Sequence, residues 1–91
     1  MAAKVVMYAT AWCPFCQMAE RLLRQKGVEF ETIRVDLEPQ RRIEMMERTQ
    51  RRTVPQIYVD DYHVGGYDDL SELDREGRLD SLLQRRERDD E

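Results

Sequence analysis

The chain's only two cysteines, Cys13 and Cys16, stand where an apolar, strand-like run gives way to a helical pattern. A Cys-X-X-Cys pair at such a junction reads as a redox dithiol, and it requires a strand ending just before it and a helix starting on it. If Cys13 occupies the first turn, unpaired backbone N–H groups and the positive end of the helix dipole favour an anion there. Its thiol should then ionise more easily than a free one. Cys13 is thus the candidate nucleophile. Cys16, one turn further in on the packed side, should be shielded and less ionised, as suits a thiol that resolves a mixed disulfide on Cys13. Two blander readings weigh less. A closed structural zinc site needs more Cys or His ligands than two cysteines and the single His63 can supply, so no metal is expected. Two unrelated buried cysteines would not also bring Pro14 to the first position of a helix.

A chain of 91 residues has room for one modest core. We expect one domain over residues 1–84 and a charged tail over 85–91 that has nothing to bury. No apolar run is long enough to cross a membrane, and the opening stretch Val5 to Ala9 is too short for a signal peptide, so a cytoplasmic protein is expected. In that compartment a lone cysteine pair cycles more readily than it staples. A net charge of -4 argues against nucleic acid as a partner.

Lys4 to Ala9 reads as a buried strand. Phe15, Met18, Ala19, Leu22 and Leu23 follow at the spacing of an amphipathic helix facing a sheet, and Lys26-Gly27 ends it with a cation and a C-cap glycine. Val28 to Val35 reads as a second strand, so the first unit is a right-handed parallel crossover. Pro39 opens a helix to about Arg51 that carries only Ile43, Met45 and Met46 as sizeable apolar groups, which implies a narrow core contact. The arginines crowded around it read as a solvated face balanced by glutamates. Gln56 to Val59 and Tyr62 to Val64, joined by Asp60-Asp61, read as a hairpin with Pro55 just before its first strand and His63 on its surface. After Gly65-Gly66, Asp68 or Asp69 can cap a last helix, with Glu72 completing a capping box and Gly77 dividing the helix in two.

Cys13-Pro14-Phe15-Cys16, then Thr53-Val54-Pro55, then Gly65-Gly66-Tyr67-Asp68-Asp69, in this order and spacing, resemble a dithiol glutaredoxin of the small bacterial kind. The resemblance runs from about Lys4 to Leu83. It implies a thioredoxin-like α/β fold: a four-stranded mixed sheet, a βαβ unit plus a β-hairpin, with helices on both faces. It also implies a cis bond before Pro55, which brings the preceding backbone beside the active sulfur. On the same resemblance, Thr53, Val54 and Pro55 belong to the glutathione site, and Val54 N–H and C=O pair with its cysteinyl backbone as an extended peptide adds to a free edge. Gly66, Tyr67 and Asp68 would hold its γ-glutamyl end, with Asp68 and Asp69 sharing the ammonium. Arg42 matches the family position that reaches the glycyl carboxylate.

Thr10 stands where many glutaredoxins carry a lysine, so either the helix terminus and Arg42 suffice or glutathione binds more weakly. Trp12 is similar to the residue that precedes the thioredoxin dithiol, although thioredoxin has Gly-Pro between its cysteines. With Thr10, Pro14 and Phe15 it is expected to wall the substrate groove. The implied activity is glutathione-dependent reduction of protein disulfides and of glutathione mixed disulfides, by a monomer, with glutathione as co-substrate and disulfide-containing or glutathionylated proteins as partners. The rivals are a thioredoxin-like reductant served by a flavoprotein reductase and a carrier of a glutathione-ligated [2Fe–2S] cluster.

Overall fold

A central sheet of order β2-β1-β3-β4 organises the computed structural model, which describes residues 3–84. Its strands are β1 (Val5–Ala9), β2 (Phe30–Arg34), β3 (Gln56–Val59) and β4 (Tyr62–Gly65). β1 pairs parallel with β2 and antiparallel with β3, and β3 pairs antiparallel with β4. The mixed sheet, βαβ unit and hairpin are as expected. The helices are α1 (Pro14–Gln25), α2 (Pro39–Thr49), α3 (Tyr67–Arg75) and α4 (Leu79–Leu83). The tail expected over residues 85–91 lies outside the described residues. Among the described residues no helix is long and apolar enough to cross a membrane.

Alternation along the strands builds two cores, because successive side chains leave a strand on opposite faces. Val5, Met7, Ala9, Ile57 and Val59 pack with Cys16, Ala19 and Leu23 of α1, Leu70 of α3 and both ends of α4. On the other face Tyr8, Ile33, Val35 and Tyr58 pack with Met45 of α2. The α1 stripe is narrower than the sequence suggests. Cys16, Ala19 and Leu23 face the sheet, while Phe15 and Met18 are exposed. Rolling the helix to bury Cys16 turns both of those away from the core.

The apolar contact of α2 is narrow, as expected, since Met45 and Thr49 are its only buried residues. A polar clasp supplements it. The Tyr8 hydroxyl donates to Glu44 at 2.5 Å, and the Arg48 guanidinium lies 3.7 Å from the centre of the Tyr58 ring. Burial and the Glu44 carboxylate push the Tyr8 phenol up, against the pull of Arg48. Met45→Ala should therefore cost about 2–5 kcal/mol, whereas Ile43→Ala should stay within about 0.5 kcal/mol, as urea denaturation would show. Met45 is fully buried and Ile43 is 53% exposed.

Two local expectations are corrected. The cap of α3 is Gly66, not Asp68 or Asp69. Asp69 sits three residues in, where its carboxylate accepts the Gly66 N–H at 3.0 Å, so it supplies the returning half of a capping box. His63 is half-buried rather than on the open surface, and its ring stacks 4.9 Å from that of Tyr58, its cross-strand partner.

Candidate active site

Cys13 is the N-cap of α1, with Pro14 at the first helical position. The short turn from β1 reaches it through Trp12, at φ +59°. Asp36 holds the turn, accepting the Ala11 N–H at 3.3 Å and two guanidinium N–H groups of Arg34, from Nε at 2.8 Å and Nη2 at 2.6 Å. Arg34 holds that carboxyl well below the usual carboxylate range. The Cys13 sulfur accepts the Cys16 N–H at 3.1 Å, as a capping side chain does. It also lies 3.9 Å from the Val54 carbonyl oxygen.

Both cysteines are free thiols, but their surroundings differ: Cys13 is half-buried, and Cys16 is only 3% exposed. Burial, reinforced by the neighbouring Cys13 sulfur, pushes the Cys16 thiol up to about 12, although a backbone hydrogen bond from Thr10 acts the other way. Cys16 is therefore protonated at neutral pH. Because only a thiolate alkylates readily, the alkylation rate of Cys16 in a Cys13→Ser variant should climb with pH and show no plateau below about pH 10. A plateau near neutrality would contradict this assignment.

The Val54–Pro55 peptide bond is cis. Thr53, Val54 and Pro55 line one side of an open cavity of about 320 Å³, and Gly66, Tyr67, Asp68 and Asp69 line the other. Phe15 also lines it, its ring stacked 6.3 Å from that of Tyr67. The structure thus brings together most of the residues singled out from sequence. Arg42 is exposed on α2 and does not line the cavity, nor do Thr10, Pro14, either cysteine or Trp12, whose side chain is 93% exposed; Cys13 adjoins the lining only through the Val54 carbonyl.

Two lining residues escaped the sequence reading: Arg51 and Gln56. Arg51 reads in sequence as one of the solvated arginines, yet its guanidinium pairs with Asp69, a second lining residue, at 3.3 Å. Gln56 is buried, and its carboxamide donates to the Thr53 carbonyl and accepts from His63. Burial pushes the His63 imidazole down, with Arg51 and Arg48 adding to the effect and Asp69 opposing it. A larger hollow of about 670 Å³ lies between Ala3–Val5 and Gly27–Glu31, with no cysteine or histidine in its lining.

Comparison with known proteins agrees with this arrangement. The glutaredoxin family model matches residues 5–64. A glutaredoxin from Pseudomonas aeruginosa is 51% identical over 79 residues, covering 87% of this chain and 94% of its own length. Glutaredoxin 3 of Escherichia coli is 47% identical over 81 residues, covering 89% and 98%. Among solved structures, a buckwheat glutaredoxin–glutathione complex superposes with a TM-score of 0.85 at 28% identity, covering 91% of this chain and 78% of that one. A Brucella melitensis glutaredoxin gives 0.80 at 48% identity, covering 90% and 89%. The matched segment contains both cysteines and the loop facing them, and the chain therefore belongs to the glutaredoxin family, the glutathione-dependent thiol–disulfide oxidoreductases.

Proposed function

We propose that Cys13 is the attacking sulfur and Cys16 the resolving one, with glutathione lying along Thr53-Val54-Pro55. The observation that carries this reading is the Cys13 sulfur at the α1 N-cap, 3.1 Å from the Cys16 amide and 3.9 Å from the Val54 carbonyl. On a glutathionylated protein, the Cys13 thiolate attacks the glutathione sulfur. The old S–S bond breaks, the protein leaves as a thiolate that takes up a proton, and a Cys13–glutathione disulfide remains. A second glutathione thiolate then attacks that disulfide, releasing glutathione disulfide and regenerating the Cys13 thiolate. On a protein disulfide, Cys13 first forms a mixed disulfide with the protein. Cys16 loses its proton and displaces the protein thiol, and two glutathiones reduce the resulting Cys13–Cys16 disulfide.

Within the groove, Val54 N–H and C=O pair with the cysteinyl backbone of the tripeptide, as an added strand would. The first N–H groups of α3 take the γ-glutamyl carboxylate. Asp68 is the better partner for the ammonium, because the Asp69 carboxylate is already engaged by the Gly66 N–H and Arg51. The facing cysteine, loop and helix end all come from one chain, so a monomer suffices. A cycling dithiol fits the reducing cytoplasm. Reduction of a glutathionylated peptide should proceed with glutathione and glutathione reductase, and not with thioredoxin reductase alone. Turnover with thioredoxin reductase and none with glutathione would overturn the reading.

A further inference from the structure

Gln56 is 1% exposed, and its carboxamide reaches back over two residues to the start of its own loop. Its Nε2 donates to the Thr53 carbonyl at 3.0 Å and lies 3.4 Å from the Thr53 hydroxyl. The Thr53 carbonyl and the Val54 N–H are opposite ends of one planar peptide unit, so fixing the direction of the first fixes that of the second. A buried carboxamide also needs a donor for its oxygen, or burial costs it a hydrogen bond. His63 supplies that donor, its Nε2 lying 2.7 Å from Gln56 Oε1. The imidazole is steadied by its stack on Tyr58, whose ring also carries the Arg48 guanidinium.

We propose that Gln56 is a positioning residue for the glutathione-pairing loop, clamping the Thr53 carbonyl so that the Val54 N–H is presented to the groove, and that His63 sets the orientation of its carboxamide. Without the His63 donor the carboxamide is free to turn over. Its oxygen then faces the Thr53 carbonyl oxygen, two acceptors oppose one another, and the peptide unit swings. The inference rests on the reading of Val54 as the backbone partner of glutathione.

The test compares wild type, Gln56→Met, His63→Phe and His63→Gln in glutathione-coupled reduction of a glutathionylated peptide. Gln56→Met removes the donor at similar size. His63→Phe keeps a ring against Tyr58 but no N–H, and His63→Gln restores an N–H donor. KM should rise about five- to tenfold in Gln56→Met and in His63→Phe, the worth of about one hydrogen bond, while kcat stays within about twofold. His63→Gln should recover most of the loss. A second readout follows the Val54 amide resonance as S-methylglutathione, which cannot exchange disulfides, is added. In wild type the resonance should shift on saturation, and in both weakened variants it should need several-fold more ligand. Unchanged KM and titration in folded His63→Phe would overturn the inference even if Gln56→Met failed to fold. A wild-type Val54 resonance that ignores the ligand would instead overturn the underlying reading of Val54.

Discussion

Cys13→Ser should abolish turnover of both substrate classes, by at least about a thousandfold, whereas Cys16→Ser should abolish only the reduction of protein disulfides. The asymmetry follows from where the two sulfurs stand. Cys13 opens to the Val54 loop at the helix N-cap, and Cys16 is buried one turn deeper with its thiol pushed up to about 12. A thiol that stays protonated cannot replace the first attack. On the proposed roles it is needed only when a mixed disulfide on Cys13 must be opened from within the protein, where proximity substitutes for exposure. Cys16→Ser should therefore keep its rate on a glutathionylated peptide within about threefold of wild type, because external glutathione completes that cycle. The two assays, run side by side on both variants, check the assignment, and equal losses in both variants would refute it.

The second large effect is expected at Gly65→Ala. Gly65 has φ +110°, and a Cβ there would run into the Asp69 carboxylate and sit 3.1 Å from an Arg51 guanidinium nitrogen. Backbone strain, together with the hydrogen bond lost as the Asp69 carboxylate moves aside, should lower stability by about 2–3 kcal/mol. The Asp69 carboxylate would also be driven off the Gly66 N–H, so the end of the groove proposed above to hold the γ-glutamyl group should open and KM for glutathione should rise. Gly77→Ala is the control: its φ is +74°, with nothing within 4 Å of a Cβ. Strain alone should cost it about 1–2 kcal/mol and leave KM unchanged. Urea denaturation and glutathione saturation curves for the two variants separate strain from collision.

Much of the fold was legible because its signals are local. Pro14 and Pro39 open helices, Gly27 and Gly77 end them, and Asp60-Asp61 turns the hairpin. Periodicity was less informative about which way α1 faces. Phe15 and Met18 share a helical spacing with Ala19 and Leu23, and only docking on the sheet decides that Cys16, Ala19 and Leu23 form the buried edge. Both cysteines and the loop facing them were legible as a motif, but the groove's polar supports were not. Arg51 meets Asp69 eighteen residues away, and Gln56 meets His63 across the hairpin. Neither pairing leaves a mark in sequence, where an arginine among arginines reads as solvated and a glutamine at a strand's start reads as neutral. Nor does sequence show that Asp69 is committed to Gly66 and Arg51, which separates its role from that of Asp68.

The order in which the two sulfurs react is the most direct measure of the account. Reduced wild-type protein should be exposed briefly to a limiting alkylating agent at neutral pH, quenched, and mapped by peptide mass spectrometry. Cys13 should carry the label at least about tenfold ahead of Cys16, as expected for a half-exposed sulfur at a helix N-terminus beside a buried, protonated one. Labelling of Cys16 first, or of both at equal rates, would contradict it.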